Sequence, residues 1–274
     1  TEAMIDLGTL QTGTEDGSSS ATAVSTDGTV VVGNAATDSD GTTNPFTGEL
    51  MPGPFRAFRW DAASADMMDL GTLQTGTEDG QSDALAVSAD GAVVVGNAQT
   101  DQNTLRAFRW DIASEDMIDL GTLQTGTEDG SSSAYAVSAD GTVIVGDAET
   151  DDGSGSGQGN FRAFRWDAAS DDMIDLGTLQ SGVENGSSSV TAGVFVGADE
   201  VINADGSVVV GRADTDDGTQ RAFRWDTLSQ DMIDLGTLQT GAENGSSAAT
   251  AVSANGIVVV GRADTDDGNQ RAFR

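Results

Sequence analysis

The segments "ADTDDGTQ" (213–220) and "ADTDDGNQ" (263–270) set carboxylates at near-alternate positions just ahead of a glycine. That spacing suits a loop wrapped around Ca²⁺, which takes about six to eight oxygen ligands. Asp214, Asp216 and Asp217 are the first candidate ligands, with Asp264, Asp266 and Asp267 as their counterparts. Asp38 and Asp40 in "ATDSDGTTN" (36–44), and Asp151 and Asp152 in "AETDDGSGSGQGN" (148–160), extend the set. The pattern departs from a full EF-hand loop, which carries a further Asp before its glycine and a distal Glu. The remaining copy, "QTDQNT" (99–104), has only Asp101. Asp and Gly are also good turn formers, so each loop reads either as a calcium wrap or as a solvated turn. Calcium is the cofactor this pattern implies, and divalent cations the first class of partner.

Other chemistry is limited by what is absent. The chain has no His, and its twelve basic side chains are all Arg; Cys and Lys are missing too. General acid–base and nucleophilic catalysis commonly recruit those three types, so a non-enzymatic protein is expected. Carboxylates alone can hydrolyse glycosides. The one irregular stretch, "AGVFVGADEV" (192–201), offers Asp199 and Glu200. Neighbours on a strand point to opposite faces, which argues against that pair. Segments such as "TGTEDGSSS" (12–20) supply Glu15, Asp16 and hydroxyls that either bind a cation or a glycan or simply make turns.

A glycan site usually stacks its sugar on an exposed aromatic ring. Here all four Trp lie in one repeated strand motif and the single Tyr is Tyr135. The formal charge of −33 repels nucleic acid and anionic lipid, so neither is an expected partner. The same excess suits a salty environment. Apolar runs such as Ile257–Val260 fit buried strands and fall far short of a membrane span. Without Cys there is no disulfide framework. Thr1 is not an initiator residue, so the sequence reads as a processed product or an excerpt of something longer.

The elements that carry these loops are repeated. "MIDLGTLQTG" (4–13) recurs with small changes at 67–76, 117–126, 173–182 and 232–241. "RAFRW" starts at Arg56, Arg106, Arg162 and Arg221, then appears shortened at 271–274. A third box, "AVSADGTVVVG" in outline, covers 23–33, 86–96, 136–146 and 251–261, with a diverged copy ending at Gly211. The unit is about 50 residues with insertions. Each reads as four short strands rich in Val, Ile, Phe and Trp, broken by Gly, Asp and Ser. No 3.6-residue apolar period argues for helix.

Registering the second hairpin with Trp60 opposite Met68 puts Phe58 opposite Leu70 and Arg59 opposite Asp69. The same register sets Arg109 opposite Asp119. Opposed residues of this kind contribute roughly 0.2–1 kcal/mol per pair, so the repeated Asp is expected to be a structural partner.

Four-stranded units of this length predict an all-β, five-bladed β-propeller of antiparallel blades in one domain, residues 1–274. The chain begins with a lone fourth strand, 4–11, and ends with a blade at 246–274 that has only three. Pairing the two would close the ring, with Arg274 opposite Asp6 and Phe273 opposite Leu7. Closure within the chain has the higher local concentration; the alternative is that the first strand completes the last blade of a neighbouring molecule, giving head-to-tail self-association into an oligomer or filament.

"RAFRWDAASADMMDLGTL" followed by "SDALAVSADGAVVVGNA" resembles the HAF-repeat family of extracellular, propeller-like proteins. The resemblance covers nearly the whole chain and implies a secreted or cell-surface protein. It brings no catalytic residues with it. Two positions depart from the family pattern: Arg56, Arg106, Arg162, Arg221 and Arg271 stand where the family has His, and Gln-Thr-Gly replaces Gly-Gly after "DLGTL". The composite expectation is a structural subunit of an extracellular assembly stabilised by calcium. A carbohydrate-binding module is the alternative, and a carboxylate-based glycoside hydrolase a third reading.

Overall fold

The computed structural model describes residues 4–12, 17–38, 53–76, 80–125, 130–151, 160–182, 186–191, 200–241 and 244–274. They form five antiparallel sheets in chain order. The first is β1 (Ser19–Val24), β2 (Val30–Ala36), β3 (Phe55–Asp61) and β4 (Asp66–Asp69). The second is β5 (Ser82–Val87), β6 (Val93–Gln99), β7 (Leu105–Asp111) and β8 (Asp116–Asp119). The third is β9 (Ser132–Val137), β10 (Val143–Glu149), β11 (Phe161–Asp167) and β12 (Asp172–Asp175). The fourth is β13 (Ser188–Ser189), β14 (Val208–Asp214), β15 (Gln220–Asp226) and β16 (Met232–Asp234). The fifth has three strands, β17 (Ser247–Val252), β18 (Val259–Asp264) and β19 (Gln270–Phe273).

The first hairpin of each sheet is set by its turn. In sheet one the Asp27 carboxylate accepts from the Ser25 hydroxyl and the Thr29 amide, 2.8 and 3.0 Å, and Gly28 takes the left-handed φ of +74° that the tight reversal requires. A β-bulge between Ala21 and Ala23 shifts the β1–β2 register. There the chains come so close that a Cβ on Gly33 would lie 1.9 Å from the Ser20 carbonyl oxygen, which explains the glycine that closes every "VVVG" box. In sheet four the irregular stretch interrupts the innermost strand: β13 stops at Ser189, and Ile202 resumes pairing opposite Val209.

The second hairpin differs from the sequence register by one residue. Trp60 lies opposite Met67, Arg59 opposite Met68 and Phe58 opposite Asp69; sheets two and three repeat this with Arg109 opposite Ile118 and Arg165 opposite Ile174. Loop length is the cause. The turn takes four residues, 62–65, closed by the Ala65 amide on the Asp61 carbonyl at 2.8 Å with Ala65 at φ 58°. The expected Arg59–Asp69 partnership is therefore replaced. Arg59 pairs with Asp61 at 3.3 Å, and Asp69 lies 3.5 Å from Arg56.

All five sheets contribute to the lining of a cavity of about 550 Å³, Val24 of the first sheet and Val258 and Val260 of the last among them. Its lining includes the turn residues Thr26, Ala89, Ala139, Ala204 and Ala254. Those turns are linked in sequence by backbone bonds. Thr26 donates to the Ala89 carbonyl, Ala89 to Ala139, Ala139 to Ala204 and Ala204 to Ala254, all within 3.0–3.1 Å. The core lies between sheets, where Val32, Val95, Val145 and Val210 on one face meet Trp110, Trp166, Trp225 and their neighbours on the next.

The expected pairing of 4–11 with the last blade is not formed. Met4–Thr9 make no strand, Met4 is fully exposed, and β19 pairs only with β18 among the described residues. The segment packs instead on sheet one. The Ser19 hydroxyl donates to the Gly8 carbonyl at 2.7 Å, and the Gln11 side-chain amide to the Thr37 carbonyl at 3.1 Å.

Candidate functional site

The acidic loops join the second and third strands of each sheet, and the linker from the preceding sheet runs beside them. One aspartate per loop is clamped by that linker, five times over. The Thr75 amide and hydroxyl donate to the two oxygens of Asp101 at 2.7 and 2.5 Å. Ser181 holds Asp216 in the same way at 2.8 and 2.5 Å, and Thr240 holds Asp266 at 2.7 and 2.5 Å. Thr12 holds Asp38, and Thr125 holds Asp151, each through amide and hydroxyl. These bonds favour the ionised form, so the carboxyls of Asp101, Asp151, Asp216 and Asp266 lie below the usual range.

The next aspartate closes its own turn. Asp217 accepts from the Thr215 hydroxyl and from the Thr219 amide and hydroxyl, with Arg221 at 3.1 Å, and its carboxyl is lowered to about 2, chiefly by the threonine hydroxyls. Asp267 repeats this with Thr265, Asn269 and Arg271. Asp214 accepts from the Ser187 amide and Gln220, and Asp264 from the Ser246 amide. Asp40 and Asp152 lie outside the described residues.

Eight of the ten candidate ligands are thus described, and each accepts hydrogen bonds from the chain itself. Among the described residues no three His, Cys, Asp or Glu converge as a cage for a metal. This is the wiring of turns, and an ion entering the loops would compete with Thr, Ser and Arg for the same oxygens.

The remaining sequence candidates separate. Glu200 lines the cavity, whereas Asp199 lies outside the described residues, as do Glu15 and Asp16. Trp110, Trp166 and Trp225 are buried in the core; Trp60 and Tyr135 are half-buried. None of these rings is a freely exposed platform for a sugar.

Reading by motif missed Asp147. It sits buried between sheets three and four, where its carboxylate accepts from the Ser189 hydroxyl at 2.6 Å and the Val190 amide at 3.0 Å. Burial raises its pKa to about 6, against the lowering pull of those bonds and of Arg212. The signal was present as "VIVGDA", where the other copies have Asn34, Asn97, Arg212 and Arg262.

The most developed surface is the contact between successive sheets. The Ala57 amide donates to the Ser82 hydroxyl, Ala107 to Ser132, Ala163 to Ser188 and Ala222 to Ser247, at 2.9–3.0 Å. The guanidinium Nε of Arg56 reaches the Gly80 carbonyl at 3.1 Å, and Arg106, Arg162 and Arg221 reach Gly130, Gly186 and Gly245. Each next turn glycine packs on the preceding valine: Gly91 on Val30, Gly141 on Val93, Gly206 on Val143 and Gly256 on Val208.

The first and last sheets carry the same residues without a neighbour. Val24 is 54% exposed where Val87, Val137 and Val252 are each 7%. Val260 is 39% exposed where Val32, Val95, Val145 and Val210 are 0%. Gly28 has nothing within 4 Å of its would-be Cβ.

No family model matches this chain, and no curated protein matches its sequence. Its fold is similar to that of a puromycin-hydrolyzing peptidase of Mycobacterium tuberculosis, at 14% identity, TM-score 0.50, over 91% of this chain and 35% of the other. Dipeptidyl peptidase 4 of Porphyromonas gingivalis gives 11% identity and TM-score 0.50 over 92% and 36%. TolB from Acinetobacter baumannii gives 13% and 0.45 over 93% and 53%. The chain spans about half the length of that TolB and about a third of either peptidase. The likeness is one of fold. With five sheets lining one cavity, it places the chain among β-propeller-like folds, while the HAF-repeat resemblance rests on the sequence boxes alone. Among the described residues no helix is long and apolar enough to cross a membrane.

Proposed function

We propose that the chain is a non-catalytic structural subunit of an extracellular or cell-surface assembly. One observation carries this reading: the same contacts between sheets repeat at four internal seams, a regular, quasi-equivalent construction. The engagement of the described loop carboxylates in turns is consistent with a building unit rather than a reactive site. The extracellular placement draws on the HAF-repeat resemblance.

Copies each carrying a charge of −33 repel one another, so association needs screening. Calcium is the counter-ion we propose at the acidic loops. Light scattering over a concentration series, with calcium and then with a chelator, tests the reading. A mass rising above 27.9 kDa with concentration, and falling on chelation, is expected. A calcium-insensitive monomer at every concentration would overturn it.

A further inference from the structure

We propose that Asp147 is a latch between sheets three and four: its carboxyl group holds the interrupted inner strand of sheet four, and loss of its proton loosens that seam while the other seams stay closed.

Three internal seams carry a polar contact at one level, between the residue that follows the glycine of the "VVVG" box and the innermost strand of the next sheet. Asn34 gives its side-chain amide to Asp83, and Asn97 gives its own to the Ser133 hydroxyl at 3.4 Å. At the third seam the direction reverses. The Ser189 hydroxyl and the Val190 amide donate to Asp147 at 2.6 and 3.0 Å.

The receiving strand is also unlike its counterparts. β13 has two residues where β1, β5, β9 and β17 each have six, and pairing with β14 resumes only at Ile202, opposite Val209. So short a strand has few ladder bonds of its own, and its end depends on the sheet before it. Asp147 takes one bond from the last residue of β13 and one from the residue just beyond it. Ser189 in turn shares its hydroxyl with that of Thr191 at 3.0 Å. The one carboxylate at this position among the five repeats therefore stands beside the one interrupted strand.

Asp147 is only 8% exposed. The groups facing it are the Arg212 guanidinium from β14 and the Tyr135 phenol from β9, while β11 sets the uncharged Ala163 opposite it. Arg212 favours the ionised form without touching it. Among the described residues Arg212 makes no ion pair, and its Nε is buried without a hydrogen-bond partner. Glu149, two residues along β10, accepts from the Ser131 amide at 3.0 Å. Two neutral donors and a guanidinium out of contact do not offset the lost hydration of a buried carboxylate. Burial accordingly pushes the carboxyl up to about 6. Protonated, the group is neutral and the seam is tight. Ionised, it is relieved by meeting water, so local opening grows as the pH rises from 5 to 7.

Native-state amide hydrogen exchange, corrected for the intrinsic pH dependence of exchange, tests the latch in the unmodified chain. At pH 7 the Val190 amide should exchange faster than the seam amides of Ala107 and Ala222 by about tenfold or more, through an opening that dilute denaturant does not promote. Lowering the pH to 5 should slow Val190 by about tenfold. Asp147→Asn keeps an acceptor oxygen and has no proton to lose, so it should abolish that dependence. Ser189→Ala removes one of the two bonds; it should speed Val190 at both pH values and keep the slope. Val190 exchanging with the rate and denaturant dependence of Ala107 and Ala222 would overturn the latch. A pH dependence that survives Asp147→Asn, or a Ser189→Ala protein with unchanged Val190 exchange, would do the same.

Discussion

The four internal seams and the two outer faces are built from the same boxes and differ only in having a neighbour. Val87 follows the same "SDALA"-type strand as Val24 and lies in the same motif, yet one is buried and the other largely exposed. A single unit of this kind does not bury its own apolar faces. The stabilising surface is made between units, as in other repeat architectures. The exposure of a valine in these boxes is therefore set by the neighbouring sheet.

Matched substitutions can break or sharpen that comparison, with stability read from denaturant midpoints. The largest difference is expected for glycine at the turn. Gly91→Ala places a Cβ 2.5 Å from Val30 at a left-handed φ of +74°. Overpacking and backbone strain together should cost about 2–5 kcal/mol. Gly28→Ala has the same φ and open space, so only the strain, about 1–2 kcal/mol, is expected in the dilute monomer. Equal losses would mean that the seam contact is not what constrains Gly91.

Val95→Ala should destabilise by about 2–3 kcal/mol, whereas Val260→Ala should cost less than about 1 kcal/mol before association. Ser132→Ala leaves the Ala107 amide and the Gly121 carbonyl without their hydroxyl partner, a loss of about 1–3 kcal/mol. Ser19→Ala loses only its bond to Gly8 and should fall under about 1 kcal/mol. A Ser19 effect as large as that of Ser132 would mean that the first face is already occupied.

A separate effect concerns protonation. Asp147 titrates near pH 6 in the folded chain, above its ordinary value of 3.8, so the folded state holds the extra proton between those values. Its contribution is fully present below about pH 4 and is lost as pH rises through about 6. Asp147→Asn should stabilise by about 1–2 kcal/mol at pH 7 and remove that slope from the difference between variant and parent. The loop carboxylates Asp101, Asp151, Asp216 and Asp266 run the other way: their contribution is present above about pH 4 and is lost on acidification. A variant whose advantage over the parent is the same at pH 4 and pH 7 would mean that Asp147 does not titrate in this window.

The order of the five sheets and the four strands of the first four were legible because box spacing reports them directly, whereas the strand expected at 4–11 is not formed. The hairpin register was not. It depends on a four-residue turn with Ala65, Glu115, Asp171 or Gln230 in a left-handed conformation, and none of these residue types announces it. The loops were legible only as a choice between a calcium wrap and a turn, and the Thr75–Asp101 clamp was not legible, since it joins residues far apart in sequence. The fate of Met4–Asp6 was hidden for the same reason that Val24 and Val87 look alike: exposure belongs to the neighbour, not to the motif.

The Ala272 amide is the most direct reporter of the open face. In the internal seams its equivalents at Ala57, Ala107, Ala163 and Ala222 are held by a serine hydroxyl from the next sheet. Amide hydrogen exchange of this chain in dilute solution should show Ala57, Ala107, Ala163 and Ala222 protected and Ala272 exchanging freely. Equal protection of Ala272 and Ala222 would contradict the account.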